Sequence, residues 1–370
     1  MKTERAYKYR FYPTPEQEIL LARTFGCVRY VWNAVLLHRT DAFYQRQEKI
    51  GYNGASAFLT QLKKQLDTAF LAEVSSVPLQ QCLRHQQAAF KHFFAKRARY
   101  PNFKSKKHRQ SATFASSAFS YRNGQITLAK CKEPLNIRWS RELPATPSTV
   151  TVSKDAAGRY FISCLCQVDT EALPTTPKMV GIDPGLKDLF VTSDGKRVNN
   201  PRHTARYARK LARAQRQLSH KQKGSNNRAK ARLKVARCNA KIADTRLDNL
   251  HKLTRQIVNE NQVIAAESLQ VKNMVKNRHL SKAISDVGWG ELVRQLDYKA
   301  AWVGRQFVQI DRWYPSSKRC HGCGFVMGSL PLNVRAWDCP SCGTEGIDRD
   351  VNAARNILQA GTALLAGAER

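Results

Sequence analysis

The chain has 370 residues, enough for two or three domains, and carries 62 Lys and Arg against 28 Asp and Glu, a formal net charge of +34. That excess goes beyond what solubility requires and calls for a polyanionic partner, for which nucleic acid is the natural candidate. No apolar run approaches the roughly 18 residues of a spanning helix, and MKTERAYKYR lacks the apolar core of a signal peptide, so a cytosolic protein is expected and a membrane partner is not.

In chain order, ERAYKYRFY alternates as a strand does. TPEQ then starts a helix, with Thr14 as cap, Pro15 at the first helical position and Gln17 closing a capping box. From there to about residue 109 the pattern is helical. It is clearest after Pro78, where Leu79, Leu83, Gln86, Phe90 and Phe94 share a stripe. KRARYPNFKSKKHRQ follows, broken by Pro101, with Lys104, Lys106 and Lys107 forming a solvated, phosphate-seeking arm. Between about 111 and 168 the texture changes to strands: QITLAK, LNIRWS, TVTVSK and GRYFISCLCQV, with DAAG as a hairpin turn. These segments predict a small β-barrel from 1–14 and 110–170, interrupted by a basic helical block at 15–109.

EALPTTPK, 171–178, has no hydrophobic period and reads as a linker. A second domain starts at Met179 with the strand VGIDPG and a probable partner, DLFVTS. Two helices joined by KGSNN at 223–227 come next. Residues 201–240 hold thirteen Lys or Arg and no acid, so Arg209, Lys210, Arg213 and Arg216 are expected to face phosphate. The strand QVIAAE ends in Glu267, a helical region around GWGELVRQLDYKAAWVG leads to the strand QFVQID, and a final helix begins near Asp350.

Cys320, Cys323, Cys339 and Cys342 are spaced C-x2-C-x15-C-x2-C, which suits one tetrahedral, structural zinc. His321 lies inside the first knuckle, but four thiolates already complete a tetrahedron. The other six cysteines, Cys27, Cys82, Cys131, Cys164, Cys166 and Cys238, are scattered among apolar neighbours and read as reduced core residues. Three dispersed acids, Asp183, Glu267 and Asp350, each follow a short apolar run, as metal ligands do in an RNase H-type sheet. Such a trio would hold two Mg²⁺ ions for phosphodiester hydrolysis. Singly each has a plainer reading: Asp183 as a turn former in D-P-G, Glu267 as a solvated strand end, Asp350 as a helix cap.

Taken together, GIDPGLKDL, AAESLQVKNM, YPSSKRCHGCG, WDCPSCG and IDRDVNAARNI resemble, in content and order, the TnpB (OrfB) family of insertion-sequence proteins, relatives of the type V CRISPR effectors. YKYRFYPTPEQE, FGCVRYVWN, LQQCLRHQQAAFKHFF and YPNFKSKK are similar to that family's opening segments, so the likeness spans nearly the whole chain. The resemblance implies an α/β, RNase H-like (RuvC-type) nuclease domain at 179–319 and 345–370, with a zinc ribbon inserted at 320–344. It implies an RNA-guided DNA endonuclease of a transposable element in a prokaryotic cytosol, nucleoid-associated. Its partners would be a guide RNA from the transposon end and double-stranded target DNA, cut beside a short transposon-adjacent motif.

By motif, Asp183, Glu267 and Asp350 would be the catalytic acids, with Asp350 preferred over Asp348 in D-x-N-A-A. Ser268 departs from the Asp that relatives commonly carry there. Gln80, Gln81 and Arg84 are candidate contacts to bases or backbone, since Gln and Arg pair bidentately with base edges; exposed polar positions on an amphipathic helix are the plainer account. Competing functions are a guided repressor without cleavage, which should lack a carboxylate, and a strand-transferring transposase of RNase H fold. A tyrosine transposase with a histidine pair is excluded, because no two of the nine histidines lie two residues apart.

Overall fold

The computed structural model describes residues 2–107 and 109–368, so Met1 and residues 369–370, within the expected domain boundaries, and His108, in the expected helical block, lie outside the described residues. The chain divides into two compact units that meet between Asp169 and Thr170.

The first unit opens on β1 (Lys2–Tyr12), followed by α1 (Pro15–Arg46), α2 (Tyr52–Lys64) and α3 (Ser76–Phe94). The capping box expected at Thr14 is present, with the Thr14 hydroxyl accepting from the Gln17 N–H and the Gln17 side chain accepting from the Thr14 N–H. Strands β2 (Gln110–Ala115), β3 (Phe119–Arg122), β4 (Gln125–Leu128), β5 (Asn136–Arg138), β6 (Thr149–Lys154) and β7 (Tyr160–Asp169) complete the unit. Among the described residues they form an antiparallel sheet in the order β2-β6-β7-β1-β5 and a separate β3–β4 hairpin. Alternation along β7 buries Tyr160, Ile162, Cys164, Cys166 and Val168 in the core that also holds Leu21, Phe25, Val28, Val31 and Val35 of α1.

Two expectations change here. Helix does not run to residue 109: α3 ends at Phe94, Lys96 turns left-handed with φ 57°, and the Arg97 and Ala98 N–H groups close back onto the His92 carbonyl. Beyond Pro101 the chain is strapped to α1. The Trp32 Nε1 donates to the Asn102 carbonyl, and the Asn33 side chain both donates to and accepts from the Lys104 backbone. Second, α1 is long and apolar enough to cross a membrane by length and composition, with a mean hydropathy of 1.2 over an 18-residue window. Half of that window is buried inside the protein's own fold, as in the core helix of a two-layer unit.

The second unit contains β8 (Met179–Pro184), β9 (Asp188–Thr192), β10 (Arg197–Asn199), α4 (His203–Ser219), α5 (Asn226–Glu260), β11 (Val263–Glu267), α6 (Val271–Met274), α7 (Ser281–Val287), α8 (Trp289–Trp302), β12 (Gln306–Ile310), β13 (Ala336–Trp337), β14 (Ile347–Asp348) and α9 (Arg349–Ala368). The sheet order is β10-β9-β8-β11-β12, antiparallel on the β10-β9-β8 side and parallel from β8 through β12. Val180, Ile182, Ile264, Leu250, Val258, Leu292 and Leu296 form one core, with α5 and α8 packed together. Ala265, Ile310 and Ile357 form another, beneath α9.

Helix α9 lies unusually close to the sheet. A Cβ placed on Gly181 would stand 2.0 Å from the Ala354 carbonyl oxygen, and one on Gly361 would stand 2.6 Å from the Ala265 Cβ. Two glycines, one on β8 and one on α9, therefore allow the contact.

Candidate functional site

Strands β8 and β11 are parallel neighbours, with Ile182 opposite Ala266. Continuing that register by one residue sets Glu267 beside Asp183, so two acids stand together at the carboxyl ends of adjacent strands. Asp350 arrives in the first turn of α9, which packs across β8 and β11. Asp183 senses the other two: burial first, then the charges of Asp350 and Glu267, push it up to about 8, against a lowering influence of Arg349. Burial also raises Glu267. Desolvation and like charge both disfavour ionisation, and a cation would relieve both.

Guanidinium groups supply part of that charge. Arg197 on β10 donates through Nη1 to Asp350 Oδ2 (3.3 Å) and Asp188 (3.2 Å), and through Nη2 to Asp348 (2.6 Å). Arg335 meets the other Asp350 oxygen at 3.5 Å. Asp348 and Asp350 play different parts. Asp348 Oδ1 accepts from the backbone N–H groups of Asp350 and Val351, so the helix cap is Asp348, while the Asp350 carboxylate is held by Arg197 and Arg335 and its charge reaches Asp183. The Val351 N–H and Arg197 keep the Asp348 carboxyl below its ordinary value although burial opposes them.

The four cysteines converge. Sγ atoms of Cys320 and Cys342 are 3.8 Å apart, those of Cys323 and Cys339 are 3.6 Å apart, and all four lie within 4.8 Å of one another. A tetrahedral zinc with bonds of about 2.3 Å requires sulfur separations of about 3.8 Å, so the set fits this metal. His321 is outside it; its backbone N–H donates to Asn352. Asn352 also donates to the Arg319 carbonyl, and Asn356 donates to those of Ser316 and Arg319. Two α9 asparagines thus tie the first knuckle to the helix that carries Asp350. Among the described residues, only the cysteines bring three or more candidate ligand atoms that close together, and the three acids are spread more widely.

Of the expected nucleic-acid contacts, Arg209, Lys210, Arg213 and Arg216 are all exposed on α4. Lys210 and Arg213 line a cavity of about 390 Å³ together with Lys234, Arg237 and Lys241 of α5. Gln80 and Arg84 are exposed and Gln81 half-buried on α3, and the Arg84 guanidinium lies 5.5 Å from the Tyr52 ring centre. Lys104, Lys106 and Lys107 are all exposed; the Lys104 Nζ also sits 3.8 Å from the Trp32 ring centre, and desolvation lowers its pKa. The sequence reading missed Arg197, Arg335, Asn352 and Asn356. The asparagines were visible in DVNAARNI as polar residues at helical spacing four, but nothing local marked the arginines.

Residues 161–278 match the family described as "Probable transposase" (OrfB_IS605), 289–357 a "Cas12f1-like, TNB domain", and 1–48 a "Helix-turn-helix domain". In this fold the described part of that last segment is a strand and one continuous helix. The chain is 56% identical over 365 residues to a "Putative RNA-guided DNA endonuclease" of Streptomyces pristinaespiralis, covering 98% of this chain and 90% of the relative. It is 34% identical over 390 residues to "Putative RNA-guided DNA endonuclease InsQ" of Escherichia coli (strain K12), covering 100% and 95%. Its fold resembles that of the protein in "Cryo-EM structure of the Cas12f1-sgRNA-target DNA complex", with a TM-score of 0.59, 13% identity, and coverage of 96% of this chain and 98% of that one. With near-complete coverage by such relatives, and the cysteine cluster in the segment matched to the Cas12f1-like domain, this chain belongs to the TnpB (OrfB) family.

Proposed function

We propose that the protein is an RNA-guided DNA endonuclease that cuts target DNA beside a short transposon-adjacent motif, with Asp183, Glu267 and Asp350 as its catalytic acids. The observation that carries this reading is the mutual placement of those acids on β8, β11 and α9, with the charges of the other two helping to raise Asp183. The strand order, three antiparallel strands continued by two parallel ones, supports an RNase H-like, RuvC-type nuclease domain. Two Mg²⁺ ions held by the three carboxylates would activate the attacking water and stabilise the leaving oxygen. Arg197 and Arg335 hold Asp350 until a metal competes for it, and Asp348 fixes the turn from which it projects.

The cysteine set is read as a structural zinc site, closed by four thiolates and therefore without an open position for chemistry. The sheet of the first unit is read as the wedge-like barrel and α1–α3 as the recognition block. Gln80, Gln81, Arg84, Lys104, Lys106 and Lys107 are candidate contacts, and the basic α4–α5 hairpin is a phosphate-binding surface. In guided recognition base pairing reads sequence while protein reads backbone charge and a short motif, which accounts for a net charge of +34 in so small a chain.

The test is to purify the chain with the RNA that accompanies it, sequence that RNA, and challenge the complex with plasmid DNA carrying the matching target. Cutting that depends on RNA and Mg²⁺ and is lost in Asp183→Ala, with RNA binding retained, is expected. Undiminished cutting by Asp183→Ala would overturn the assignment.

A further inference from the structure

Trp313 is 78% exposed, an uncommon state for so large an apolar ring in a folded chain. Its loop is nevertheless held at both ends. Asp311 Oδ1 accepts from the Trp313 N–H at 2.7 Å, and the Asp311 carbonyl accepts from the Tyr314 N–H. Three residues on, the buried Ser316 has its carbonyl fixed by Asn356 of α9. The indole is thus presented on a braced turn, with the Arg312 guanidinium 4.9 Å from its ring centre and the Asp311 carboxylate on its own backbone N–H. The loop leaves β12 directly after Ile310, which pairs with Glu267, and the Ser268 N–H donates to the Ile310 carbonyl. Three residues of chain span at most about 10 Å and one step between paired strands about 5 Å, so the Trp313 Cα lies within about 15 Å of the Glu267 Cα.

We propose that Trp313 is a stacking platform for a base of the single DNA strand led to the acids, with Arg312 holding the adjoining phosphate. A flat, exposed aromatic beside a cation is what binding of a single strand without sequence preference requires, since every base has a π-face. The proposal rests on the endonuclease reading for the identity of the strand. The indole's role is to position that strand, and it takes no part in bond breaking.

The experiment uses the full chain with its accompanying RNA, made nuclease-inactive by Asp183→Ala, and a fluorescein-labelled oligothymidylate of about 12 nucleotides followed by anisotropy across a salt series. Trp313→Ala should weaken binding by about 5- to 150-fold at every salt concentration, giving a line parallel to the parent's, because stacking releases no counterions. Trp313→Phe should retain most of the affinity. Arg312→Gln should instead flatten the salt dependence by up to about 0.7 in slope. Parent-like binding by Trp313→Ala, or equal losses in the Ala and Phe variants, would overturn the proposal. So would a loss confined to the accompanying RNA with oligothymidylate binding intact. Cleavage by the chain with Asp183 intact is assayed alongside. If that chain fails to cut while the Trp313→Ala loss persists, the endonuclease reading falls and the platform stands; if it cuts while Trp313→Ala binds normally, the platform alone falls.

Discussion

Asp348 caps the helix that carries Asp350, its Oδ1 accepting from the Asp350 N–H at 3.1 Å and the Val351 N–H at 3.0 Å. Two acids two residues apart therefore have separable tasks, and this division gives the first prediction. Asn is as good a cap as Asp, so Asp348→Asn should keep the helix start and lose only the charge facing Arg197. Asp350→Asn removes an anionic oxygen from the acid trio. Cleavage should therefore survive better in Asp348→Asn than in Asp350→Asn, and the reverse ranking in a plasmid-cutting assay would reassign the third acid.

Gly181 supports the same geometry from below. A Cβ there would sit 2.0 Å from the Ala354 oxygen and 2.8 Å from the Leu358 nitrogen, both backbone atoms that no rotamer change can move. Gly181→Ala should displace α9, lower stability by about 1–3 kcal/mol and depress cleavage together with it. Thermal unfolding and cutting rates of the same preparation check this; an unshifted midpoint would show that α9 can yield freely.

Parts of this arrangement were legible in the sequence because they are local. The Thr14–Gln17 box and the paired C-x2-C knuckles depend on spacing alone, and VGIDPG and QVIAAE announce buried strands by composition. What stayed hidden depends on distance along the chain. Arg197 and Asp350 are 153 residues apart, and β10 is three residues long, too short to carry a period. Lys104 is exposed, as the basic KSKK suggests, but only the fold brings Trp32 beneath it. Gly181 is one apolar-run residue among several until α9 lies over it.

Acidity gives the third prediction. The folded-state pKa of Asp183, about 8, lies above the ordinary 3.8, so the metal-free fold binds that proton more tightly than the unfolded chain does. This contribution to stability is fully present below about pH 4 and is lost as pH rises toward and through about 8, at up to about 1.4 kcal/mol per pH unit between those limits. A divalent cation needs the carboxylate, so Mg²⁺ or Mn²⁺ affinity should climb from pH 6.5 to 8 and then level. Calorimetric titration at several pH values measures this, and Asp183→Asn should abolish most of the slope.

Removal of the thiolates should act on structure. Elemental analysis should find one zinc per chain. Cys339→Ser, at a buried position of the set, should lower the unfolding temperature and solubility, with loss of activity following loss of folded protein. Chelators should act slowly, because Asn352 and Asn356 anchor the first knuckle to α9. Zinc-free protein with normal thermal stability and cutting would refute a structural role for the site.

The last prediction concerns the α4–α5 hairpin. Residues 201–240 hold thirteen positive side chains and no acid, and Lys210 and Arg213 face Lys234, Arg237 and Lys241 across a shared cavity. A solvated helix pair offsets such crowding with acids at i to i+4, and none occurs within 201–240, so the charges of that segment repel until phosphates enter. Replacing Arg209, Lys210, Arg213 and Arg216 with Gln should therefore have opposite effects on two readouts. Thermal stability of the nucleic-acid-free protein should hold or rise, while affinity for the guide RNA or the guide–target duplex falls. The plot of log affinity against log salt should flatten by about 0.7 to 0.9 for each phosphate contact removed. Cutting should drop at limiting protein and recover in part at low salt. An unchanged salt slope for both ligands would mean that these side chains touch no phosphate, and the path of the nucleic acid would have to follow another basic face.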